Sequence, residues 1–146
     1  MSTSPPDDYL PSPTGWVREQ VERILAQGDT DGVTVGDRPV VLITMRGARS
    51  GAVRLVPVMR IEREGVYAAV GSRGGAPTDP LWVANLRAHP DVTVQDGVTT
   101  SAARAREVQG DERAVWWERA CAAFPDYARY AVHTDRVFPI FVLEPR

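Results

Sequence analysis

Apolar residues recur along most of this chain in short runs of the length that β-strands need. Continuous or alternating apolar stretches predict six strands, at residues 39–45, 52–62, 66–71, 91–95, 98–108 and 138–144. Short polar turns connect most of these strands, and Asp96-Gly97 is the strongest hairpin signal in the chain. The pattern therefore predicts mostly antiparallel neighbours, because parallel strands need long crossover connections.

The first helix is predicted over residues 14–28. Thr14 can cap its first turn, and Gly28 is a typical stop signal. One apolar stripe with helical spacing is formed by Trp16, Val17, Val21, Ile24 and Leu25. Charges of both signs occupy the opposite face, whereas a membrane-surface helix is normally more basic, so packing against a core is favoured.

Three shorter helices are predicted further along the chain. Thr78 or Asp79 can cap a helix that has a proline in its first turn and runs to about Ala88. Residues 111–123 form the next helix, and Pro125 starts the last one. These last two helices carry the aromatic residues Trp116, Trp117, Tyr127 and Tyr130.

The predicted order of elements is helix, three strands, helix, two strands, two short helices and a strand. This order predicts an α+β fold, a small and partly open barrel of about six mostly antiparallel strands with covering helices. Residues 1–13 are rich in Pro, Ser and Asp and are expected to be a disordered leader, with residues 14–146 as a single domain.

Composition narrows the classes of function. The formal net charge is -2 and the pI is near 5.7, which argues against nucleic acid as a partner. The single cysteine, Cys121, cannot form an internal disulfide, so a reducing cytoplasm is the expected compartment. The first residues lack the basic and apolar regions of a signal peptide, and no apolar run is long enough to span a bilayer. These features predict a soluble cytoplasmic domain.

Several kinds of site are not predicted. His89 and His133 are far apart in sequence and have no carboxylate or thiol at ligand spacing, so no metal site is expected. Ser72 is not in a nucleophile elbow, and Cys121 has no histidine nearby. Phosphate-loop and dinucleotide-binding fingerprints are also missing.

Two glycine-rich loops that carry arginines are the features that indicate chemistry. The loop "RGARSGAVR" holds Arg46, Arg49 and Arg54, and the loop "GSRGGAP" holds Ser72 and Arg73. Glycines let backbone N–H groups converge on an anion, and arginine binds phosphate or carboxylate bidentately. Each loop alone is more often a turn with a solvated arginine. Because both loops adjoin strands of the same predicted sheet, they can share one barrel rim, which favours a site for an anionic ligand.

Aromatic residues near these loops extend the pattern. Trp82 follows the second loop, and Tyr127 and Tyr130 are spaced one helical turn apart. All three can either belong to the core or line the binding site of a planar ligand. The residues by themselves therefore predict a site for a flat, negatively charged small molecule, and they do not name it.

Several motifs of the chain occur together in one family. They are Gly47, Arg49, Ser50, Gly51 and Arg54, then "SRGGAP", "DPLW…NLRAHP", "FPDYARY…TDR" and the C-terminal "PIFVLEP". With these motifs in this order between Trp16 and Pro145, the chain resembles the deazaflavin-dependent nitroreductase family of actinobacteria. The resemblance implies a split β-barrel like that of flavin-mononucleotide-binding oxidoreductases. It also implies coenzyme F420 as the cofactor, an 8-hydroxy-5-deazaflavin with a phosphate and an oligoglutamate tail.

The resemblance further implies roles for individual residues. Those that hold the tail and phosphate would be Arg49, Ser50 and Arg54. Those that line the phosphate and ring would be Ser72, Arg73, Gly74 and Gly75. Those that pass under the ring would be Pro57, Val58 and Met59, with Trp82 and Asn85 nearby.

The implied reaction moves a hydride from reduced deazaflavin to a quinone, an activated enone or a nitroaromatic, so the implied partner is a small-molecule hydride acceptor. Ser72 and Tyr130 are the candidates to hydrogen-bond the acceptor oxygen, with Tyr127 shaping the pocket. Phe124 stands where the nitroimidazole-activating member has a tyrosine, which puts that activity in doubt. Some family members are membrane-associated through the N-terminal helix, which implies weak peripheral contact at the inner face of the cell membrane.

Three alternatives stay open on the sequence. One is a flavin-mononucleotide-dependent oxidoreductase on the same barrel. Another is a non-catalytic deazaflavin-binding protein, and the third is an interaction domain without a cofactor.

Overall fold

The structure is a computed structural model that describes residues 4–146. Its helices are α1 (Gly15–Gln27), α2 (Leu81–Ala88), α3 (Gly110–Ala123) and α4 (Asp126–Val132), and a 3-10 turn spans Arg73–Gly75. Its strands are β1 (Thr34–Val35), β2 (Arg38–Arg46), β3 (Val53–Met59), β4 (Glu62–Arg63), β5 (Val66–Val70), β6 (Asp91–Asp96), β7 (Thr99–Glu107) and β8 (Ile140–Pro145). The six predicted strands are confirmed. The two-residue strands β1 and β4 were not predicted, because two residues carry no periodic pattern.

The strands form one curled antiparallel sheet. Its long strands follow the order β3-β2-β6-β7-β8-β5, with β4 beyond β5 and β1 paired to the start of β2. Among the described residues, no ladder joins β3 to β5, so the curled sheet stays open between these two strands. This arrangement is a split β-barrel of the α+β class, which confirms the predicted fold.

The strand directions place both glycine-rich loops at one end of the barrel. Four antiparallel pairings separate β2 from β5, so these two strands run in the same direction and end at the same rim. The first loop (residues 47–52) follows β2, and the second loop (residues 71–76) follows β5. The connection through α3 and α4 also leaves from this end, because β7 runs parallel to β2. We call this end the upper rim.

Three apolar clusters fill the protein. The first lies inside the barrel and is covered by α2, with the buried residues Val41, Ile43, Met45, Leu86 and Phe141 among its members. The second joins α3 and α4 to the sheet and includes Trp116, Phe124, Tyr127, Phe138 and Ile140. The third lies under α1 and includes Val21, Ile24, Val40, Leu42 and Leu55. The helices therefore cover the barrel, as the order of elements predicted.

The stripe predicted for α1 is right in its middle and wrong at its first position. Val21 and Ile24 are fully buried, whereas Trp16 is 59% exposed. The cluster under α1 does not reach the first turn, so Trp16 has no apolar partner in it. The apolar face of α1 is thus used inside the protein, which leaves little of it for contact with a membrane surface. No helix within residues 4–146 has the length and apolar character to cross a membrane.

The helices end near the predicted positions, but the predicted capping hydrogen bonds are not made. Gly28 ends α1 with a left-handed φ of 68°, as expected of a stop signal, but the Thr14 side chain makes no capping hydrogen bond. The cap predicted for α2 at Thr78 or Asp79 is wrong, because Pro80 occupies the cap position. Both polar side chains bind arginines instead. Thr78 accepts a hydrogen bond from the Arg73 guanidinium, and Asp79 accepts one from the Arg136 guanidinium.

The leader follows the edge of β3 where it is described. Tyr9 forms a parallel bridge with Val53, the Leu10 N–H donates to the Val53 carbonyl at 2.9 Å, and the Val53 N–H donates to the Asp8 carbonyl at 3.1 Å. This differs from the expected disorder, because an unpaired strand edge offers backbone partners that composition does not reveal. Residues 1–3 of the predicted leader lie outside the described residues.

Candidate functional site

The second loop has an unusual backbone conformation. Ser72 is right-handed, with φ -76° and ψ -40°, and three left-handed residues follow it, Arg73 (φ 48°), Gly74 (φ 63°) and Gly75 (φ 83°). Glycine adopts this conformation freely, but a residue with a side chain loses about 1–2 kcal/mol. The strain at Arg73 therefore requires other contacts that hold the loop in this shape.

This conformation leaves three consecutive backbone donors free. The Gly75 and Ala76 N–H groups close the 3-10 turn onto the carbonyls of Ser72 and Arg73, at 2.9 and 3.1 Å. The N–H groups of Ser72, Arg73 and Gly74 have no acceptor within the described structure. A right-handed residue followed by a left-handed one makes successive N–H groups converge, which is the backbone nest that binds anions. We call the N–H groups of residues 72–74 the nest.

Ser72 also brings a side-chain donor to the nest. The residue is only 6% exposed, yet its hydroxyl has no hydrogen-bond partner among residues 4–146. A hydroxyl that makes no hydrogen bond within residues 4–146 and lies in the same residue as a free N–H group offers a ligand one more donor.

Arg136 holds the second loop from behind. Its guanidinium donates to the carbonyls of Ser72 at 2.6 Å, Gly71 at 2.8 Å and Ala76 at 2.9 Å, and it pairs with Asp79 at 2.5 Å. Sequence reasoning assigned Arg136 no role. The one feature of the sequence that pointed to Arg136 is its place in the "TDR" motif. The neighbouring residues do not reveal its partners, because these lie about 60 residues earlier in the chain.

The second loop packs against Tyr130 of α4. A side-chain carbon built on Gly75 would lie 3.3 Å from the Tyr130 carbonyl oxygen and 3.4 Å from its Cβ. The Tyr130 ring is half-buried, 6.2 Å from the Phe124 ring, and its hydroxyl has no partner within the described part of the chain. The structure thus brings Ser72 and Tyr130, the two candidates for contact with an acceptor, to the same rim.

Tyr127 differs from Tyr130 although both belong to α4. Its ring is buried between those of Phe124 and Trp117, with centroids 5.0 and 6.3 Å away. Burial raises the pKa of Tyr127 above its ordinary value, because the charged phenolate would be desolvated there. This burial favours packing under Tyr130 over direct contact with an acceptor.

The first loop is closed by its own side chains and tied to α2. The Ser50 hydroxyl accepts from the Ala52 N–H at 3.1 Å, and the Gly47 N–H donates to the Ala52 carbonyl at 2.8 Å. The Asn85 side chain accepts from the Ala48 N–H at 2.8 Å, so α2 links the first loop to the second. Asn85 is therefore placed as a support of this loop.

The arginines of the first loop fall into two groups. Arg49 is exposed and makes no hydrogen bond or ion pair with residues 4–146. Arg46 pairs with Asp8 and donates to the Gly51 carbonyl, while Arg54 donates to the carbonyls of Leu10 and Pro11, each at 3.1 Å. The leader thus occupies Arg54, which the sequence assigned to the cofactor, and leaves Arg49 as the available cation.

Four apolar side chains of β3, β5 and α2 are packed against the interior cluster without being fully buried. Those that are only partly buried at the margin of the interior cluster are Val56, Val58, Tyr67 and Trp82. The Trp82 ring meets Phe141 edge-on, with centroids 6.2 Å apart. Pro57 is also half-buried. Met59 faces the cluster of α3 and α4 and is buried, which differs from the expectation that it lies under a ring.

A groove of about 480 Å³ lies elsewhere, on the side of Arg136 and the start of α3. Its arginines are already bound, Arg87 to Glu107, Arg136 to Asp79, and Arg113 to the Phe138 carbonyl. It lacks the free backbone donors of the nest, so the chemistry favours the nest as the site for an anion.

No group of three or more His, Cys, Asp or Glu residues within residues 4–146 is arranged to hold a metal ion. His89 and His133 directly follow the ends of α2 and α4.

Comparisons with known proteins identify the family of the chain. A sequence model of the F420H(2)-dependent quinone reductase family matches residues 16–145. The chain is 32% identical to a putative F420H(2)-dependent quinone reductase of Mycobacterium tuberculosis, over 74% of this chain and 91% of the relative. A solved structure titled as an F420-H2-dependent reductase has a TM-score of 0.70 and 50% identity, covering 77% of this chain and all of that one. Another solved structure, titled as a domain-swapped dimer, has a TM-score of 0.72 and 54% identity, covering 91% of this chain and all of that one.

The family match covers most of the chain and includes both glycine-rich loops, α4 and Arg136. The chain therefore belongs to the F420H(2)-dependent quinone reductase family, and it is an F420-dependent oxidoreductase with coenzyme F420 as its cofactor.

Proposed function

We propose that this protein binds F420 with its phosphate on the nest of residues 72–74 and reduces a quinone, an activated enone or a nitroaromatic at Ser72 and Tyr130. One observation carries the proposal. Three free N–H groups and a nearly buried free hydroxyl lie beside an aromatic residue whose own hydroxyl is unpaired in the described structure. The first set suits an anion, and the two hydroxyls suit a carbonyl or nitro oxygen.

The residues present fit the anionic part of F420. The nest supplies backbone donors for a phosphate, and Arg49 supplies an exposed cation for carboxylates further along the tail. Both lie at the upper rim, and α2 contacts the first loop through Asn85 and the second through Val83, which lies against Gly71. Arg73 donates to Thr78 at 2.5 Å, so its guanidinium stabilises the loop unless that bond is exchanged for a ligand.

The residues also fit a flat ring. Val56, Val58 and Trp82 are partly buried apolar residues of β3 and α2 that would contact such a ring. A planar ligand there would bury apolar surface at about 25 cal/mol per Å². Its other face would be left toward the second loop and α4, where the acceptor would stack.

The cofactor supplies the hydride when it is bound, from C5 of the reduced deazaflavin. The protein would hold the hydride donor and the hydride acceptor against each other and exclude water from between them. Negative charge develops on the acceptor oxygen as the hydride arrives, and the hydroxyls of Ser72 and Tyr130 would donate hydrogen bonds to it. Such donors stabilise the transition state more than the bound substrate.

An acceptor panel tests the proposal. Purified protein is mixed with reduced F420, and deazaflavin absorbance is followed with a quinone, an enone and a nitroaromatic. We expect oxidation with at least one class, and Ser72→Ala should lower kcat/KM about tenfold or more. Ser101→Ala, an exposed serine on β7, is the matched control and should be silent. Full activity of Ser72→Ala with every accepted substrate would remove Ser72 from the site.

A further inference from the structure

Arg136 makes contacts that exceed what a single surface arginine needs. Its side chain is only 14% exposed and lies over the Phe138 ring, with the guanidinium carbon 4.8 Å from the ring centroid. Three of its donors bind carbonyls of one short segment, at Gly71, Ser72 and Ala76. The ring beneath and the carbonyls at its edge fix the plane of the guanidinium.

These bonds account for the direction of the free donors. Arg136 draws the carbonyls that flank the 3-10 turn to one side of the loop. The N–H groups of residues 72–74 have no acceptor within the described chain, and the left-handed conformation at Arg73 is what makes them converge. A non-glycine residue holds this conformation only where the surroundings over-determine it. Among the described contacts, those of Arg136 are the ones that bind both ends of the turn.

Asp79 completes the arrangement. Its carboxylate pairs with Arg136 at 2.5 Å and is itself about one-third exposed. This ion pair joins the segment that leads into α2 to the same guanidinium. Arg136 therefore couples three parts of the upper rim, namely the second loop, the start of α2 and the segment before β8.

We propose that Arg136 is a positioning residue, which holds the second loop in the conformation whose N–H groups face the phosphate of F420. The inference rests on the proposed placement of that phosphate on the nest. Arg136 touches no ligand in this arrangement and acts through the backbone of residues 71–76. Its loss should therefore weaken binding of the phosphate-bearing part of the cofactor, and leave binding of the ring by β3 and α2 nearly unchanged.

The experiment compares two ligands on each variant. Dissociation constants are measured by fluorescence titration for F420 and for the same deazaflavin without phosphate and tail. Arg136→Gln should weaken F420 binding about tenfold or more, the scale of a lost charge-assisted contact, and change binding of the phosphate-free ligand less than about twofold. Arg136→Lys keeps the charge with fewer donors and should be intermediate.

Arg113→Gln is the matched control. Arg113 also donates to a backbone carbonyl, that of Phe138 at 2.8 Å, but it does not touch the second loop. Both glutamine variants should lower the melting temperature, while only Arg136→Gln should change the ratio of the two dissociation constants. That ratio separates positioning of the nest from a contribution to stability alone.

The outcomes are distinct. An unchanged ratio in Arg136→Gln, with both affinities lowered equally or neither lowered, would overturn the inference. If wild-type protein bound both ligands equally well, the placement of phosphate on the nest would fail first, and the inference with it. If Arg136→Gln did not fold, Arg136→Lys and Asp79→Asn would decide, with a rise of about threefold in the ratio expected on loss of part of the contact and no rise contradicting it.

Discussion

Gly75 lies directly against Tyr130, so that a methyl group on Gly75 would stand 3.3 Å from the Tyr130 carbonyl oxygen. The second loop and α4 therefore touch through a residue without a side chain. This contact joins the donors proposed for the cofactor to the hydroxyl proposed for the acceptor.

Gly75→Ala should move the second loop and α4 apart. The substitution introduces a left-handed alanine, at about 1–2 kcal/mol, and a close contact that pushes α4 away from the loop. We expect lower stability in chemical denaturation and a fall in kcat/KM. Gly65→Ala is the matched control, since Gly65 has the same φ of 83° and nothing within 4 Å of the added carbon. Equal kinetic effects in the two variants would show that the contact with Tyr130 does not matter.

Tyr130→Phe should affect turnover more than binding. The ring and its contact with Phe124 are kept, while a hydroxyl that has no partner in the described structure is removed. We expect F420 affinity within about twofold, and kcat/KM with a quinone or enone lowered about tenfold, since one positioned donor contributes on the order of 1.4–4 kcal/mol. Stopped-flow and steady-state assays check this, and wild-type turnover on every accepted substrate would return Tyr130 to a packing role.

Arg49→Ala and Arg54→Ala should differ. Arg49 is free to bind an anion, whereas Arg54 is bound to the carbonyls of Leu10 and Pro11. Arg49→Ala should weaken F420 binding about tenfold to a hundredfold, on loss of about 1.5–3 kcal/mol, with a larger effect at low salt. Arg54→Ala should have a smaller effect on binding. Equal losses in titrations of both variants would mean that the tail displaces the leader from Arg54.

The protein should bind F420 more tightly than flavin mononucleotide because of the oligoglutamate tail of F420. Flavin mononucleotide has one phosphate for the nest and no group beyond it, whereas F420 has carboxylates beyond its phosphate that would bind Arg49. We expect F420 to bind at least about tenfold more tightly, a difference of about 1.4 kcal/mol. Fluorescence titrations with both compounds test this, and equal affinities would leave the tail without a role.

Alkaline pH should destabilise the protein through Tyr67. Burial and the hydrogen bond to Asp96, at 2.6 Å, raise the pKa of Tyr67 to about 12. The unfolded value is about 10, so between these pH values the folded protein keeps a proton that the unfolded chain loses. The stability that depends on neutral Tyr67 is complete below pH about 10 and is lost as pH rises toward 12. Urea unfolding across this range should show a shallower decline in Tyr67→Phe, and an identical decline would contradict the assignment.

Local patterns predicted the elements well. A few consecutive apolar residues are enough to predict a strand, and the Asp96-Gly97 pair is enough to predict the hairpin between β6 and β7. The end of α1 is predicted by Gly28 alone, because glycine readily adopts the left-handed conformation found there. The antiparallel order follows from short connections. Both loops adjoin strands of one predicted sheet, so the sequence predicts that they can share a rim, and the four pairings between β2 and β5 confirm it.

Long-range pairing decided the rest. Asp79 was predicted to cap α2 because the nearest helix is the only partner that a local pattern can show, yet its partner is Arg136, which lies 57 positions later. Trp16 has the spacing of a core residue and is exposed, because spacing does not show where a cluster ends.

The fold class, the positions of the two glycine-rich loops and the family follow from the amino-acid sequence, since these depend on residues that are near one another in the chain or in a shared motif order. Which arginines are available for a ligand depends on contacts that form only in the folded chain. Arg54 is taken by the leader, Arg136 holds the second loop, and Arg49 is left without a partner among residues 4–146. The physical reason is that a guanidinium binds whichever carbonyl or carboxylate packing brings within about 3 Å, and packing is a property of the folded chain.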